Sequence, residues 1–418
     1  MNYIYSKVSR EMKFFGNTDP VQLTAKFGTP LYVYSENILR ERCRDMKGLI
    51  SYSNFTVNYS PKANSNLELI KIVRSEGLRV DAMSPGEIYV NMLAGYKPEE
   101  ILYISNNVSE DEIRYAINTG VKISVDSVSQ LEMFGKIKPG GKVAFRLNPG
   151  VGAGHHEKVI TAGQKTKFGI EMNSIPEVKR IIKEYNLKLI GINQHIGSLF
   201  MDGEAYLKST GNILAIARQF DDLEFIDFGG GFGIPYKKQS GQSRLDLREL
   251  GGKLSKVVQT WVKEYGKDIE FKIEPGRYIV AESSILLGKV YAIKTNYNIK
   301  YIGTDLGFNV LVRPVMYDSH HDIEIYRENN TPSLKEETVR IVGNICETGD
   351  IIAKDRNLPE IVENDILGVM DSGAYGYSMS SNYNNRLRPA EVLIEEDGNP
   401  RLIRRRDTIE DLIRNFIL

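Results

Sequence analysis

From residue 54 onward the chain repeats one phrase eight times: a short β-branched or aromatic run, a polar turn, then a segment of helical period that ends near glycine. The runs are NFTVNYS (54–60), LRVDAM (78–83), ILYIS (101–105), VKISVD (121–126), KVAFRLN (142–148), LKLIGINQH (187–195), LEFIDFG (223–229) and IEFKIEP (269–275). Segments such as NLELIKIVRSEG, EDEIRYAINTG and PEVKRIIKEYN lie between them. Strands that alternate with helices pair in parallel, and a set of eight favours a closed (β/α)8 TIM-like barrel over the alternative, an open doubly wound sheet.

Past residue 285 the helical segments give way to SILLGKVYAIKT, TVRIVGNICET, NDILGVMDSG and a hairpin-like AEVLIEEDGNPRLIRRR, whose Asp397-Gly398 suits a tight turn. These predict a C-terminal β-rich domain, sandwich- or barrel-like. The expected organisation is an N-terminal segment 1–35, whose PLYVYS (30–35) joins the β domain, a barrel over 36–285 and the β domain over 286–418. A length of 418 residues accommodates a barrel of about 250 residues and this second domain.

Charge narrows the partners. Lysine and arginine number 54 against 54 acidic residues, so no net field recruits nucleic acid or an anionic membrane, and a small molecule is the expected ligand. Cys43 and Cys346 are too few for a disulfide framework, the N-terminus lacks a signal-like apolar run, and no run approaches about 18 apolar residues. A cytoplasmic enzyme is expected.

Barrels carry their chemistry at the C-terminal ends of strands. There the sequence places Lys62, Asp81, Ser84, Arg146, Asn148, His195, Ser198, Gly229 to Gly231 and Glu274 to Arg277. Lys62 by position alone is a weak signal, since surface lysines are far commoner. The Gly229-Gly230-Gly231 run lets backbone N–H groups approach an anion, where a flexible turn is the bland alternative. Glu274-Pro275-Gly276-Arg277 sets an acid, a rigid turn, a bare backbone and a guanidinium together, as a site or as a structural ion pair. For pyridoxal chemistry the acid would keep the ring nitrogen protonated. His195 reads as a ring packed on a flat cofactor with Ser198 near its phosphate, or as a satisfied core histidine. His155-His156 and His320-His321 are adjacent pairs, a spacing that argues against a metal site; none is expected.

In order along the chain, YSPKAN (59–64), DAMSPGE (81–87), KFGI (167–170), HIGS (195–198), GGGFG (229–233), EPGR (274–277), RPVMY (313–317), CETGD (346–350) and DSGAYGYSM (371–379) resemble the diaminopimelate decarboxylase family, within the fold-type III pyridoxal-phosphate decarboxylases. That resemblance implies pyridoxal 5'-phosphate on Lys62, phosphate held by Gly229, Gly230, Gly231 and Gly276, and the ring nitrogen on Glu274. It also implies cofactor contacts from Asp81, His195, Ser198, Arg277 and Tyr375. Substrate contacts fall to Arg277, Arg313, Tyr317, Glu347 and Tyr375. It further implies a homodimer in which Cys346 and Glu347 serve the partner subunit's site. Cys346 is the expected proton donor, with Lys62 competing. Ser60-Pro61 and Thr348 depart from the family's usual residues without removing a needed chemical group.

The implied reaction converts meso-2,6-diaminopimelate to L-lysine and carbon dioxide. Ornithine, arginine, D-ornithine or D-lysine decarboxylation on the same architecture stays open, since fold does not choose substrate. Arg313 with Glu347 suits a zwitterionic end rather than a plain amine. A catalytically silent cofactor carrier is the rival from another class, and the retained substrate-side residues argue against it.

Overall fold

A computed structural model describes residues 7–152, 161–163, 166–327 and 335–417. The chain separates into two compact units: Arg42–Ile234 with Arg244–Ile279, and Met1–Glu41 with Pro235–Ser243 and Val280–Leu418. His155 and His156 lie outside the described residues. The first strand, β1 (Leu31–Ser35), belongs to the latter unit, and the next nine build the former.

Those nine are β2 (Phe55–Tyr59), β3 (Arg79–Ala82), β4 (Ile101–Ile104), β5 (Lys122–Val125), β6 (Lys142–Asn148), β7 (Ile170–Glu171), β8 (Lys188–Asn193), β9 (Phe225–Asp227) and β10 (Glu270–Ile273). All except β7 form a parallel ring, closed by β5 against β6 and by β10 against β2; the short β7 pairs with the end of β6. These eight strands coincide with the eight β-branched or aromatic runs between residues 54 and 275. The closed barrel excludes the doubly wound alternative.

Its interior and its helical jacket follow from side-chain spacing. Leu102, Ile104, Ala144, Ile190 and Phe225 form one buried cluster inside. Gly191 faces Phe225 across the β8–β9 pair, and a Cβ there would lie 2.3 Å from the ring's Cζ, so the aromatic fills the barrel only opposite glycine. Outside, the helix Leu247–Tyr265 buries Leu250, Leu254, Val258 and Trp261, a stripe of helical period.

Helix starts are capped close to the strand ends. Ser84, Ser109 and Ser127 each accept a backbone N–H three residues on, and Asn66 does so two residues on. Short loops therefore gather at the C-terminal end of the barrel.

In the second unit, β1 runs antiparallel to β11 (Ser284–Asn296), which continues to β12 (Ile299–Thr304); β13 (Ile323–Tyr326) lies off the main path. β14 (Glu336–Val342) and β15 (Ile351–Pro359) extend the sheet beyond β12, while β16 (Ile366–Val369) joins β11 to β13. On its other side β1 runs parallel to β17 (Ala390–Ile394), which returns as β18 (Pro400–Arg404). Leu31, Val33, Ile285, Leu287, Val392 and Ile394 form its core with Phe14, Phe15 and Leu23 of the N-terminal segment. The β17–β18 turn is closed by Gly398 N–H to Glu395 O at 2.8 Å, with Gly398 at φ 83°.

Candidate active site

The turn after β2 presents Lys62. Ala63 N–H closes on Ser60 O, and Ser60 N–H reaches Pro275 O in the loop after β10, so the lysine's turn is tied to the EPGR loop. A Cβ on Gly276 would come within 3.0 Å of Ala63 Cβ, and glycine permits that approach.

Three buried carboxyls, Asp81, Asp227 and Glu274, interact with one another at this end of the barrel. Asp81 on β3 accepts the Ser60 hydroxyl, and burial pushes it up to about 7 against the pull of Lys62. Asp227 on β9 accepts Gly229 N–H at 2.8 Å and is pushed by burial to about 6. Glu274 is raised well above the carboxylate range by burial and by the charges of Asp227 and Asp81, with Lys62 and Arg146 opposing. Glu87 is also raised by burial, while Met83 N–H and Lys62 pull it down. Asp81 Oδ1, Asp227 Oδ2, Glu274 Oε1 and Arg146 Nη2 are buried polar atoms that make no hydrogen bond within the protein. Such atoms call for a polar group placed among them.

The cations are similarly constrained. Arg146 on β6 lies 3.6 Å from Asp126 and stacks 4.6 Å over Phe168, and burial lowers its pKa. His195 receives Gly230 N–H on Nδ1 at 3.2 Å. Burial, then Lys62 and Arg146, hold its pKa well below the usual value, so the ring is neutral with its proton on Nε2. Arg277 donates to Ser198 Oγ from Nε at 3.2 Å and from Nη2 at 2.9 Å.

The glycine run is closely enclosed. A Cβ at Gly229 would meet Gln194 O at 2.1 Å, at Gly230 Glu274 O at 2.0 Å and at Gly231 Gly197 O at 2.5 Å. The first two glycines are thus required by strands on either side, whatever else their backbone does. Gly229 N–H and Gly230 N–H, expected to face phosphate, are engaged by Asp227 and His195.

This end of the barrel fits pyridoxal phosphate. It offers an amine among acids, a desolvated carboxyl with a bare oxygen for a ring nitrogen, a neutral flat ring and a glycine loop beside Ser198 and Arg277. Lys62, Asp81, His195, Ser198, Gly229 to Gly231, Glu274, Gly276 and Arg277 all belong to this unit.

Five further candidates belong to the other unit. Arg313 and Tyr317 bound one short helix. Arg313 is buried, donates to Ser319 Oγ at 3.3 Å, contacts His321 Nε2 at 2.7 Å and lies 4.6 Å over Tyr236. Cys346 is exposed with a free thiol, and the neighbouring Glu347 accepts the Tyr383 hydroxyl at 2.6 Å. Asp350 holds their loop by accepting Ile345 N–H and Phe308 N–H at 2.8 and 2.7 Å. Tyr375 has φ 57°, a left-handed backbone unusual for a tyrosine. Ser60, Glu87, Asp227, Ser319, His321 and Tyr236 received no role from the sequence. For Asp227 the signal was an acid inside the apolar run FIDF.

Residues 36–281 match the family described as pyridoxal-dependent decarboxylase, pyridoxal binding domain. Diaminopimelate decarboxylase of Methanothermobacter thermautotrophicus is 45% identical, covering 96% of this chain and 94% of that protein. The Escherichia coli enzyme of the same name is 34% identical, covering 94% and 95%. A crystal structure of diaminopimelate decarboxylase from Helicobacter pylori complexed with L-lysine superposes with a TM-score of 0.86 at 29% identity, covering 95% of this chain and 98% of that one.

Proposed function

This chain belongs to the diaminopimelate decarboxylase family of pyridoxal-dependent decarboxylases, and from that premise we propose that it converts meso-2,6-diaminopimelate to L-lysine and carbon dioxide. The observation that carries the reading is the placement of Lys62 among buried Asp81 and Glu274 and half-buried Glu87, with Glu274 Oε1 unsatisfied. Pyridoxal 5'-phosphate bound there supplies an electron-poor ring that accepts the electron pair released when the carboxylate departs.

The chain's own residues do the rest. Lys62 would hold the cofactor through Nζ, its amine standing among the acids of this rim. Glu274, desolvated at this rim, would keep the proton on the ring nitrogen of the bound cofactor. Neutral His195 would offer its flat face to the ring, and Ser198 with the glycine loop would hold the phosphate. Arg277 and Arg313 receive carboxylates, while Tyr317, Tyr375 and Glu347 complete recognition. As the carbon–carbon bond breaks, carbon dioxide leaves without the bonding pair, and one proton must arrive at the vacated position. Cys346 delivers it from its thiol, with Lys62 Nζ as competitor.

Both Cys346 and Glu347 serve the partner subunit's site in a homodimer, a reading supported by their exposed loop. A reducing cytoplasm suits Cys43 and Cys346, neither of which forms a disulfide. Among the described residues no helix is long and apolar enough to cross a membrane.

Product analysis tests the function. Purified holoenzyme incubated separately with meso-diaminopimelate, D-ornithine and L-arginine should yield L-lysine from the first at the highest kcat/KM; faster turnover of D-ornithine overturns the substrate. Borohydride should fix a pyridoxyl label on the peptide containing Lys62, and a label on another lysine removes its role.

A further inference from the structure

Sequence alone leaves His320-His321 without a purpose. In the structure the two rings diverge. His320 Nε2 lies 2.9 Å from Asp322 Oδ1 and 2.8 Å from Arg356 Nη1, at the half-buried edge of the unit. His321 is fully buried and faces Arg313.

Two contacts decide the state of the His321 ring. Its Nδ1 is 2.7 Å from Met370 O, and a carbonyl can only accept, so Nδ1 carries a proton. Its Nε2 is 2.7 Å from Arg313 Nη1, and a guanidinium can only donate, so Nε2 carries a lone pair. The imidazole is therefore neutral and in one tautomer. A proton on Nε2 would set N–H against N–H.

The surrounding backbone fixes the ring in place. Asp318 at φ 49° ends the Arg313–Tyr317 helix and turns the chain back, bringing Ser319 and His321 to the guanidinium. Met370 N–H bonds Asp322 O at 2.9 Å, next to the β13–β16 ladder, so the carbonyl that orients His321 belongs to a paired strand end. Tyr236 packs edge-on against the imidazole at 5.2 Å and lies under the guanidinium at 4.6 Å. His321, Ser319 and Tyr236 thus clamp one face and two nitrogens of Arg313 with neutral groups, leaving its positive charge undiminished by these three.

We propose that His321 is a positioning residue for substrate recognition: as a neutral acceptor locked by Met370 O, it sets the orientation in which Arg313 meets a carboxylate of the substrate. The proposal rests on the reading of Arg313 as a substrate-binding residue, which it deepens by naming what aims the guanidinium. Loss of a fixed Arg313 weakens binding of the carboxylate without touching the bond that breaks, so KM changes more than kcat.

A double-mutant cycle on the holoenzyme tests it. His321→Leu removes both bonds and should raise KM for meso-diaminopimelate about 10- to 100-fold, the scale of a hydrogen bond to a charged group, with kcat lowered less than about threefold. His321→Gln can accept from Arg313 and donate to Met370 O, and should return KM to within about threefold of wild type. In an Arg313→Ala background His321→Leu should add nothing. If Arg313→Ala leaves KM unchanged, the reading of Arg313 fails. If Arg313→Ala raises KM and His321→Leu does not, or if Gln is as damaging as Leu, the role of His321 fails alone. A readout independent of variant folding is the 15N spectrum of histidine-labelled wild-type enzyme, where His321 should show a protonated Nδ1 and a bare Nε2. The opposite tautomer, or an imidazolium, overturns the proposal.

Discussion

Nδ1 of His195 accepts the backbone N–H of Gly230 at 3.2 Å, which joins the loop after β8 to the glycine loop after β9 and forbids a proton on that nitrogen. Burial, Lys62 and Arg146 reinforce the neutral state. A ring held this way can present a flat face to a cofactor without adding positive charge beside Lys62.

The neutral histidine has a pH signature. Its folded pKa lies below its unfolded value, so the unfolded chain binds the extra proton, and the contribution to stability is present above about pH 6.5 and lost as pH falls below it. His195→Phe keeps a flat ring and cannot titrate. In urea unfolding of the apoprotein, the difference between wild type and His195→Phe should move in the variant's favour from pH 7.5 to pH 5. A pH-independent difference would contradict the assignment.

Asp81 titrates in the opposite sense. Its folded pKa of about 7 stands above the unfolded 3.8, so its contribution is complete below pH 3.8 and is lost as pH rises through 7. Ionised Asp81 in the apoprotein is a buried charge, and Asp81→Asn removes it. The apo variant should be more stable than wild type at pH 8, by on the order of 3 kcal/mol, and nearly equal to it at pH 4. Cofactor affinity should move the other way, falling in the variant, because the carboxylate that opposes Lys62 is gone.

Burial, with the charges of Asp227 and Asp81, raises the pKa of Glu274 well above the carboxylate range, so a bound cationic ring nitrogen favours its ionised form. Glu274→Gln retains shape and hydrogen bonding but cannot neutralise that cation. The turnover number should fall by about 10²- to 10³-fold, the scale of a preorganised electrostatic contact, with cofactor Kd changed less than tenfold. Wild-type turnover in the variant would make Glu274 a structural group of the EPGR loop.

The barrel was legible because each of its strands is a short apolar run bounded by a cap or glycine, as in VDAMS before the helix capped by Ser84 and VKISVDS before the one capped by Ser127. Strands β12, β13 and β15 escaped the reading. In IIAKDRNLP the alternation breaks where Asp355 adopts φ 49° and the pairing with β14 shifts register, and IEIY is too short to stand out. The site followed the same division. Residues at strand ends were found because barrel geometry puts them on one rim. His321 and Ser60 were not, since their roles depend on a carbonyl and a carboxylate far along the chain, Met370 O and Asp81.

Cys346 and Glu347 are expected to reach a site of the partner subunit. Both are exposed on a loop braced from within by Asp350 and by Asn384 Oδ1, which accepts Cys346 N–H at 2.9 Å, while Glu347 accepts the Tyr383 hydroxyl. A displayed thiol beside a carboxylate suits delivery to a neighbouring subunit, and a two-fold dimer that exchanges such loops makes two equivalent composite sites. Lys62→Ala and Cys346→Ala should each be inactive alone. When subunits of the two are mixed and allowed to exchange, half of the sites in each heterodimer carry both lesions and the other half carry neither, so activity should recover to about half of wild type per heterodimer. Exchange can be followed by differently tagged chains. If exchange is complete and no activity returns, Cys346 acts within its own chain, and the trans arrangement is wrong.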